Sequence, residues 1–150
     1  FIRLTDTKGQ PVKGEAVMKG FERTIQAITF SNGGTKNNTQ VSFTMIVGGA
    51  SADLKRAMAN NEFLSKGDVT VLAPGTDGVP SVSYTIKMEN ITVLTSNEAM
   101  GCNNVLTTTV TLQATRIGWT YYNQTARGTS PTVSRKFGWD ADAKADWTNF

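Results

Sequence analysis

Strict alternation of apolar and polar residues is the pattern that most constrains this chain. From Val41 to Val47 every second residue is apolar, which predicts a β-strand with one buried face. Residues 82–93 and 107–122 alternate in the same way but change phase part-way, near Glu89-Asn90 in the first stretch. A phase change moves the buried side chains to the other parity, so it indicates a bulge or a bend. Bent strands favour a curled sheet, and we predict a mainly β protein, a small closed antiparallel β-barrel.

Only one segment has helical periodicity. Ser51 is placed to cap this helix and Asp53 to lie in its first turn. Its narrow apolar stripe consists of Leu54, Ala57 and Met58. We therefore predict one short α-helix, about Ser51 to Asn60, on the flank of the barrel. The chain has 150 residues without a linker or an internal repeat, which predicts a single domain over residues 1–150.

Two neighbouring segments differ sharply in polarity. From Thr24 to Phe30, apolar residues occupy both parities, which predicts a strand covered on both faces. From Ser31 to Gln40 there is no apolar residue, which predicts a solvated loop or hairpin tip.

Catalytic and metal-binding patterns are weak. The chain has no histidine, so it lacks the usual base of Ser-His and Cys-His pairs and the commonest zinc ligand. No phosphate-binding loop or nucleophile elbow occurs. The segment from Asp140 to Asp146 has carboxylates at alternating positions, but Lys144 and Ala145 stand where a calcium loop needs a ligand and a glycine. We predict a charged surface turn there, and no enzyme, metal site or cofactor.

Charge and hydropathy exclude further classes. The 15 Lys and Arg against 12 Asp and Glu give a net charge of +3, and the scattered cations form no stripe for nucleic acid. No apolar run reaches the ~18 residues of a membrane span, so membrane insertion is not expected. The single Cys102 has no neighbouring cation, and we expect an inert thiol. The chain shows no signal peptide but begins with Phe1 rather than Met, so export stays open.

The tryptophans leave two interpretations open. Trp119, Trp139 and Trp147, with Tyr121 and Tyr122, can stack on sugars in a monomeric carbohydrate-binding barrel. The same side chains more often pack in a core or at a subunit interface.

The order of several short segments resembles the Hcp (haemolysin-coregulated protein) family, the tube-forming proteins of bacterial type VI secretion. No single motif is decisive, and the resemblance lies in their succession along nearly the whole chain. The segments are Gly14-Glu15, Lys19-Gly20-Phe21, Ile25 to Ser31, Ser51 to Met58, Met88 to Val93, Arg116 to Tyr121 and Phe137 to Asp140.

The resemblance implies a structural subunit rather than an enzyme. Family members are barrels with a flanking helix that assemble head to tail into homohexameric rings, and the rings stack into a hollow tube. The tube lies inside a contractile sheath, carries a spike protein and delivers small effectors from its lumen. The resemblance also implies assembly in the bacterial cytoplasm and then secretion without a cleaved signal peptide. The tail tube of a phage or a related contractile particle is the alternative.

Two-sided strands and the family's architecture together predict the contact residues of the ring or tube. These residues are Ile25, Ile28, Phe30, Ser31, Asn32, Lys36, Asn37, Ile117, Trp119 and Tyr121. In the family a loop between the second and third strands reaches the next ring, and by position this is Ser31 to Gln40. The stretch from Asn123 to Lys136 is longer than the usual family ending, and we predict an additional hairpin that takes part in stacking.

Overall fold

The structure is a computed structural model that describes residues 1–35, 38–123 and 130–150. The described part is mainly β with one helix, as predicted. The strands are β1 (Ile2–Asp6), β2 (Thr29–Thr35), β3 (Asn38–Ile46), β4 (Phe63–Pro74), β5 (Pro80–Met100), β6 (Leu106–Tyr122), β7 (Val133–Asp140) and β8 (Ala145–Asp146), and helix α1 (Gly49–Ala59) joins β3 to β4. Within these ranges no helix is both long enough and apolar enough to span a bilayer.

All the strands belong to one sheet in which neighbours are antiparallel, in the order β1-β4-β5-β6-β3-β2. Strand β7 pairs with β6, and β8 pairs with β7. Strand β5 follows β6 along most of its length on one side. On the other side β3 pairs with residues 107–113 of β6, and β7 pairs with residues 116–122. Strand β6 is therefore divided into two halves with different neighbours.

The closure of the barrel is not confirmed, because the ladder of the described strands does not continue from β2 back to β1. The two ends of the sheet meet through the segment that precedes β2. Ile2 and Ile25 exchange backbone hydrogen bonds of 2.8 and 2.9 Å, and the Ile28 N–H donates to the Thr44 carbonyl at 2.7 Å. The predicted strand over residues 24–30 is thus wrong for most of its length, since Ile25 forms an isolated bridge and β2 begins at Thr29.

A line of bends crosses the middle of the sheet, where the phase changes predict it. Asn90 has a left-handed backbone with φ 52°, and both Met88 and Ile91 beside it are buried. On β6 the buried parity changes at the same level, between Ala114 and Ile117. Asparagine adopts positive φ more readily than most residues, which explains why it stands at the bend. Because neighbouring strands change parity together, they stay in register while the sheet curls.

The core is formed by the helix and by the inner face of each long strand, whose buried parity changes at the line of bends. Its largest fully buried side chains are Phe43, Ile2, Leu4, Ile25, Leu54, Ile86, Met88, Ile91, Leu112 and Ile117. Leu54 and Ala57 of α1 face this core, and Met58 packs at its margin, as the helical stripe predicts.

The helix begins earlier than predicted. Gly48 is the N-cap, and Ser51 is the third helical residue, whose hydroxyl accepts the Gly48 N–H at 3.1 Å. Asp53 consequently lies beyond the first turn, so it is not placed to stabilise the helix N-terminus. The buried Thr108 hydroxyl donates to Ser51 at 2.8 Å, which ties the start of α1 to β6.

Two hairpins correct or complete the sequence predictions. The predicted solvated loop or hairpin tip over residues 31–40 belongs to the β2–β3 hairpin, but most of it is strand, because residues 31–35 belong to β2 and 38–40 to β3. The predicted hairpin over residues 123–136 has its arms in β6 and β7, and the Asn123 N–H donates to the Thr132 carbonyl at 2.9 Å. Residues 36–37 and 124–129 lie outside the described residues.

Candidate assembly surfaces

Four aromatic side chains line one face of the sheet around the second half of β6. Tyr84 and Tyr121 are opposite each other on β5 and β6, with ring centroids 5.0 Å apart. Trp119 and Phe137 are opposite each other on β6 and β7 and stack at 5.8 Å. Tyr121 is 47% exposed and Phe137 is 51% exposed. We call these four residues the aromatic stripe, and its exposed aromatic area is typical of a protein contact.

Asn32 ties the aromatic stripe to β2. Its side-chain oxygen Oδ1 accepts Trp119 Nε1 at 2.7 Å and, more weakly, the Tyr84 hydroxyl at 3.5 Å. Its Nδ2 donates to the Gln40 carbonyl at 3.0 Å. Burial and the neighbouring Tyr121 raise the pKa of Tyr84, which keeps its hydroxyl protonated and able to donate. This single amide therefore holds the β2–β3 hairpin against the far half of β6.

The first half of β6 carries a different surface, made of uncharged polar side chains in two rows across four strands. The residues are Thr29, Thr44, Thr109 and Asn97 in one row and Ser31, Ser42, Thr111 and Thr95 in the other. Hydroxyls bond across the strands, Ser42 to Thr111 at 3.1 Å and Thr44 to Thr109 at 3.2 Å. We call this surface the hydroxyl face. It can offer hydrogen bonds to a passing molecule without selecting it by charge.

An apolar groove of about 550 Å³ opens near the first half of β6, between the loop at Gly14 and the start of α1. Its walls include Ile28, which is 55% exposed, and Ile46, which is 53% exposed. Glu15 lies at its rim, close enough to Gly48 that a Cβ added there would meet the Glu15 side chain at 3.4 Å. The groove thus combines exposed aliphatic side chains with one carboxylate.

Arg116 joins three strands at the line of bends. Its Nε donates to Asp140 Oδ2 at 2.8 Å, and its Nη1 donates to Glu89 Oε2 at 3.1 Å. Asp140 Oδ1 accepts the backbone N–H groups of Asp142 and Ala143, each at 3.0 Å. The bond from Ala143, followed by the one from Arg116, holds the pKa of Asp140 below its usual range. Both oxygens of this carboxylate are therefore engaged in holding the turn together.

Metal ligands are not grouped in the part of the chain that the structure describes. No set of three or more His, Cys, Asp or Glu side chains lies there in a position to hold an ion. Cys102 is exposed and forms no disulfide in the turn between β5 and β6.

Eight of the ten predicted contact residues lie in the described part of the chain, and they fall into three groups. Ile25 and Ile117 are buried in the core, at 2% and 1% exposure, and Phe30 packs partly against it. Three others lie on the surface: Ile28 in the groove, Ser31 in the hydroxyl face and Tyr121 in the aromatic stripe. Asn32 and Trp119 are brought together by their hydrogen bond. Lys36 and Asn37 lie outside the described residues.

Sequence reasoning misses Phe137, Tyr84, Arg135, Ile46 and Glu15 as surface residues. The sequence does indicate an exposed apolar side chain at Ile46, because it is the one large apolar residue on the polar parity of β3. No sequence pattern indicates that Phe137 is exposed, since its exposure depends on how β7 pairs with β6.

The tryptophans do not share one surface. Trp119 lies in the aromatic stripe, whereas Trp147 is buried beside Phe150, with ring centroids 4.8 Å apart. Phe150 covers Gly118 and Gly138, whose parity is opposite to that of Trp119 and Phe137. A common sugar-stacking platform of all three tryptophans is therefore not formed.

Comparison with known families decides between the remaining interpretations. Residues 1–121 match the family model described as "Type VI secretion system effector, Hcp". This chain belongs to the Hcp family. It is accordingly a type VI secretion tube protein, and the resemblance to the Hcp family is confirmed. No curated protein matches the chain in sequence.

Solved structures share the fold of this Hcp chain at low sequence identity. A type six secretion system protein has a TM-score of 0.79 at 15% identity, covering 97% of this chain and 98% of its own. Hcp1 from Salmonella typhimurium has a TM-score of 0.75 at 15% identity, covering 97% of both chains. An Hcp1 variant from E. coli EAEC 042 has a TM-score of 0.71 at 22% identity, covering 89% of this chain and 95% of its own. The likeness in fold therefore extends beyond residue 121.

Proposed function

We propose that this Hcp chain is the structural subunit of the inner tube of a type VI secretion system. It forms homohexameric rings that stack into a hollow conduit and carry or chaperone effectors in the lumen. The observation that carries the proposal is the family match over residues 1–121. The same match favours this role over the tail tube of a phage, because the family is one of type VI secretion.

The exposed surfaces support assembly into a ring. A head-to-tail ring needs two different patches on each subunit, so that one patch of each copy meets the other patch of the next. The aromatic stripe and the apolar groove are two such patches. A monomeric barrel needs neither, since both leave large apolar side chains in water.

We propose the hydroxyl face as the wall of the lumen. A charged wall would retain effectors of the opposite sign and repel those of the same sign. The hydroxyl face carries no charge, and its cross-strand hydroxyl bonds already satisfy part of its hydrogen-bonding capacity. Ser31, one of the predicted contact residues, lies in this face.

The remaining parts of the proposal follow from the family. The chain acts as one domain over residues 1–150, a barrel in which the bridge between Ile2 and Ile25 takes the place of the last strand pair. Its partners are a contractile sheath, a spike protein and small effectors, and it performs no catalysis. Assembly takes place in the bacterial cytoplasm and is followed by secretion without a cleaved signal peptide.

Light scattering coupled to negative-stain imaging of the same peak tests the proposal. We expect a uniform particle with about six times the mass of the chain and a central hole. A clean monomer at high micromolar concentration would contradict it. A glycan array on the same sample tests the alternative, a monomeric carbohydrate-binding barrel, for which sugar binding by a monomer is expected.

A further inference from the structure

The aromatic stripe and the apolar groove lie at opposite ends of β6. Ile46 of the groove is opposite Thr107, and Phe137 of the stripe is opposite Trp119. The two surfaces have no residue in common, and both leave large apolar side chains exposed to a second molecule.

Their chemistry is complementary. The stripe presents two half-exposed aromatic rings, Tyr121 and Phe137, on paired strands. The groove is concave and aliphatic, with Ile28 and Ile46 more than half exposed on its walls. Aromatic side chains seated in an aliphatic groove are the usual centre of a protein interface.

Their charges are complementary as well. Arg135 is opposite Tyr121 in the ladder and two residues from Phe137, so it shares the face of the stripe. Glu15 lies at the rim of the groove. Within the described residues neither Arg135 nor Glu15 forms a salt bridge. An unpaired cation beside one surface and an unpaired carboxylate beside the other favour the joining of the two.

We propose that the apolar groove is occupied by the aromatic stripe of a second copy of this chain, with Arg135 of one copy facing Glu15 of the next. The inference rests on the proposed function and assigns the two sides of the contact within a ring. The contact is heterologous, because each subunit contributes its stripe on one side and its groove on the other. A second copy is the occupant because this chain itself carries both complementary surfaces and both unpaired charges.

Two single variants that each block one side provide the decisive test. Phe137→Asp removes the stripe and leaves the groove, and Ile46→Asp removes the groove and leaves the stripe. Both side chains are about half exposed, so the folded chain tolerates a polar substitution better there than in the core. We expect each variant alone to be a folded monomer. When they are mixed in equal amounts, we expect a one-to-one dimer that does not grow further.

Matched controls separate this contact from general effects. Val79→Asp places the same charge on another exposed aliphatic residue, in the turn between β4 and β5, and should leave rings intact. Thermal melting of every variant checks the fold. If Phe137→Asp melts much earlier than the other variants, Tyr121→Asp takes its place in the mixture.

The charge pair gives an independent test on the same surfaces. Arg135→Glu and Glu15→Arg should each raise the protein concentration for half-assembly at least tenfold at low salt, and the double variant should recover most of the loss. Lys8→Glu changes the net charge by the same amount as Arg135→Glu and should have no effect.

The outcomes distinguish the inference from the proposed function. If the wild-type chain forms rings and Phe137→Asp and Ile46→Asp also form them, the assignment of the contact is wrong and the ring remains. If both variants are monomers but do not pair when mixed, the two surfaces do not meet each other, which also overturns the assignment. If the wild-type chain is a monomer, the ring and the contact both fail.

Discussion

The two halves of β6 differ in which of their faces is covered. Over residues 106–114 the inner face is buried in the core and the outer face is the solvated hydroxyl face. Over residues 116–122 the outer face is buried at Gly118, whereas the inner face ends at the exposed side chain of Tyr121. The second half of β6 is thus covered on both faces before Tyr121, whereas the first half is covered on one face only. Neighbouring elements, and not strand propensity, therefore decide which parity faces water.

A glycine pair explains the covered face of the second half. Gly118 and Gly138 are opposite each other on β6 and β7, and a Cβ on Gly118 would lie 2.6 Å from the Phe150 ring. A Cβ on Gly138 would lie 2.4 Å from the same ring. Glycine weakens a strand, and here the packing of an aromatic ring offsets that loss. In the first half, the hydroxyl face has no such cover and needs polar side chains.

The largest loss of stability is expected from Trp119→Ala, in the second half of β6. The change removes the stack on Phe137, which holds the second half of β6 against β7, and the hydrogen bond to Asn32, which holds it against β2. We expect a loss of about 3 kcal/mol in the free energy of unfolding, measured by urea denaturation. Thr109→Ala, on the hydroxyl face, should cost less than about 0.5 kcal/mol. Equal losses for the two variants, or an unchanged urea midpoint for Trp119→Ala, would contradict the division of β6.

Gly118→Ala is expected to have the second largest effect. The added methyl group would displace the Phe150 ring, and overpacking of this kind costs about 1 to 3 kcal/mol. Gly33→Ala is the matched control in β2, since a Cβ there meets nothing within 4 Å. In a Phe150→Ala background, Gly118→Ala should cost much less, because the clash is gone. Additive losses in the double variant would show that the ring and the glycine do not interact.

The contrast between the halves also explains what sequence reasoning can predict. Alternation and its phase changes correctly predict most of β3, the bends and both long strands, because these depend on local periodicity. The segment over residues 24–30 misleads, since its apolar residues on both parities reflect a bridge to β1 and a groove wall rather than a strand between layers. The stripe could be predicted only in part. Tyr84 meets Tyr121, and Phe137 meets Trp119, only because strands far apart in the sequence pair with each other.

Asn32→Ala is expected to have an intermediate effect on stability, at the β2–β3 hairpin. The change removes the bonds to Trp119 Nε1 and to the Gln40 carbonyl, and we expect a loss of about 1 to 2 kcal/mol. Hydrogen exchange should show faster opening of the β2–β3 amides, with those of β4 and β5 unchanged. Asn97→Ala, in the hydroxyl face, is the control with an expected loss near zero. Protection of β2 that is identical in the two variants would rule out Asn32 as the link.

The smallest effect is expected from Asp140→Asn, at the boundary between the two halves. The pKa of Asp140 is lowered in the folded chain by bonds from Ala143 and Arg116, so its carboxylate stabilises the fold above its ordinary value of 3.8. This contribution is lost as the pH falls through the lowered folded value. The urea midpoint of Asp140→Asn should therefore lie below that of the wild-type chain at pH 7, and the gap should narrow as the pH falls below about 3.8. Asp142→Asn is the control, because it removes the same charge but none of these side-chain bonds. If its urea midpoint falls as far below that of the wild-type chain, net charge, and not the link from Arg116 to Asp140, stabilises the boundary.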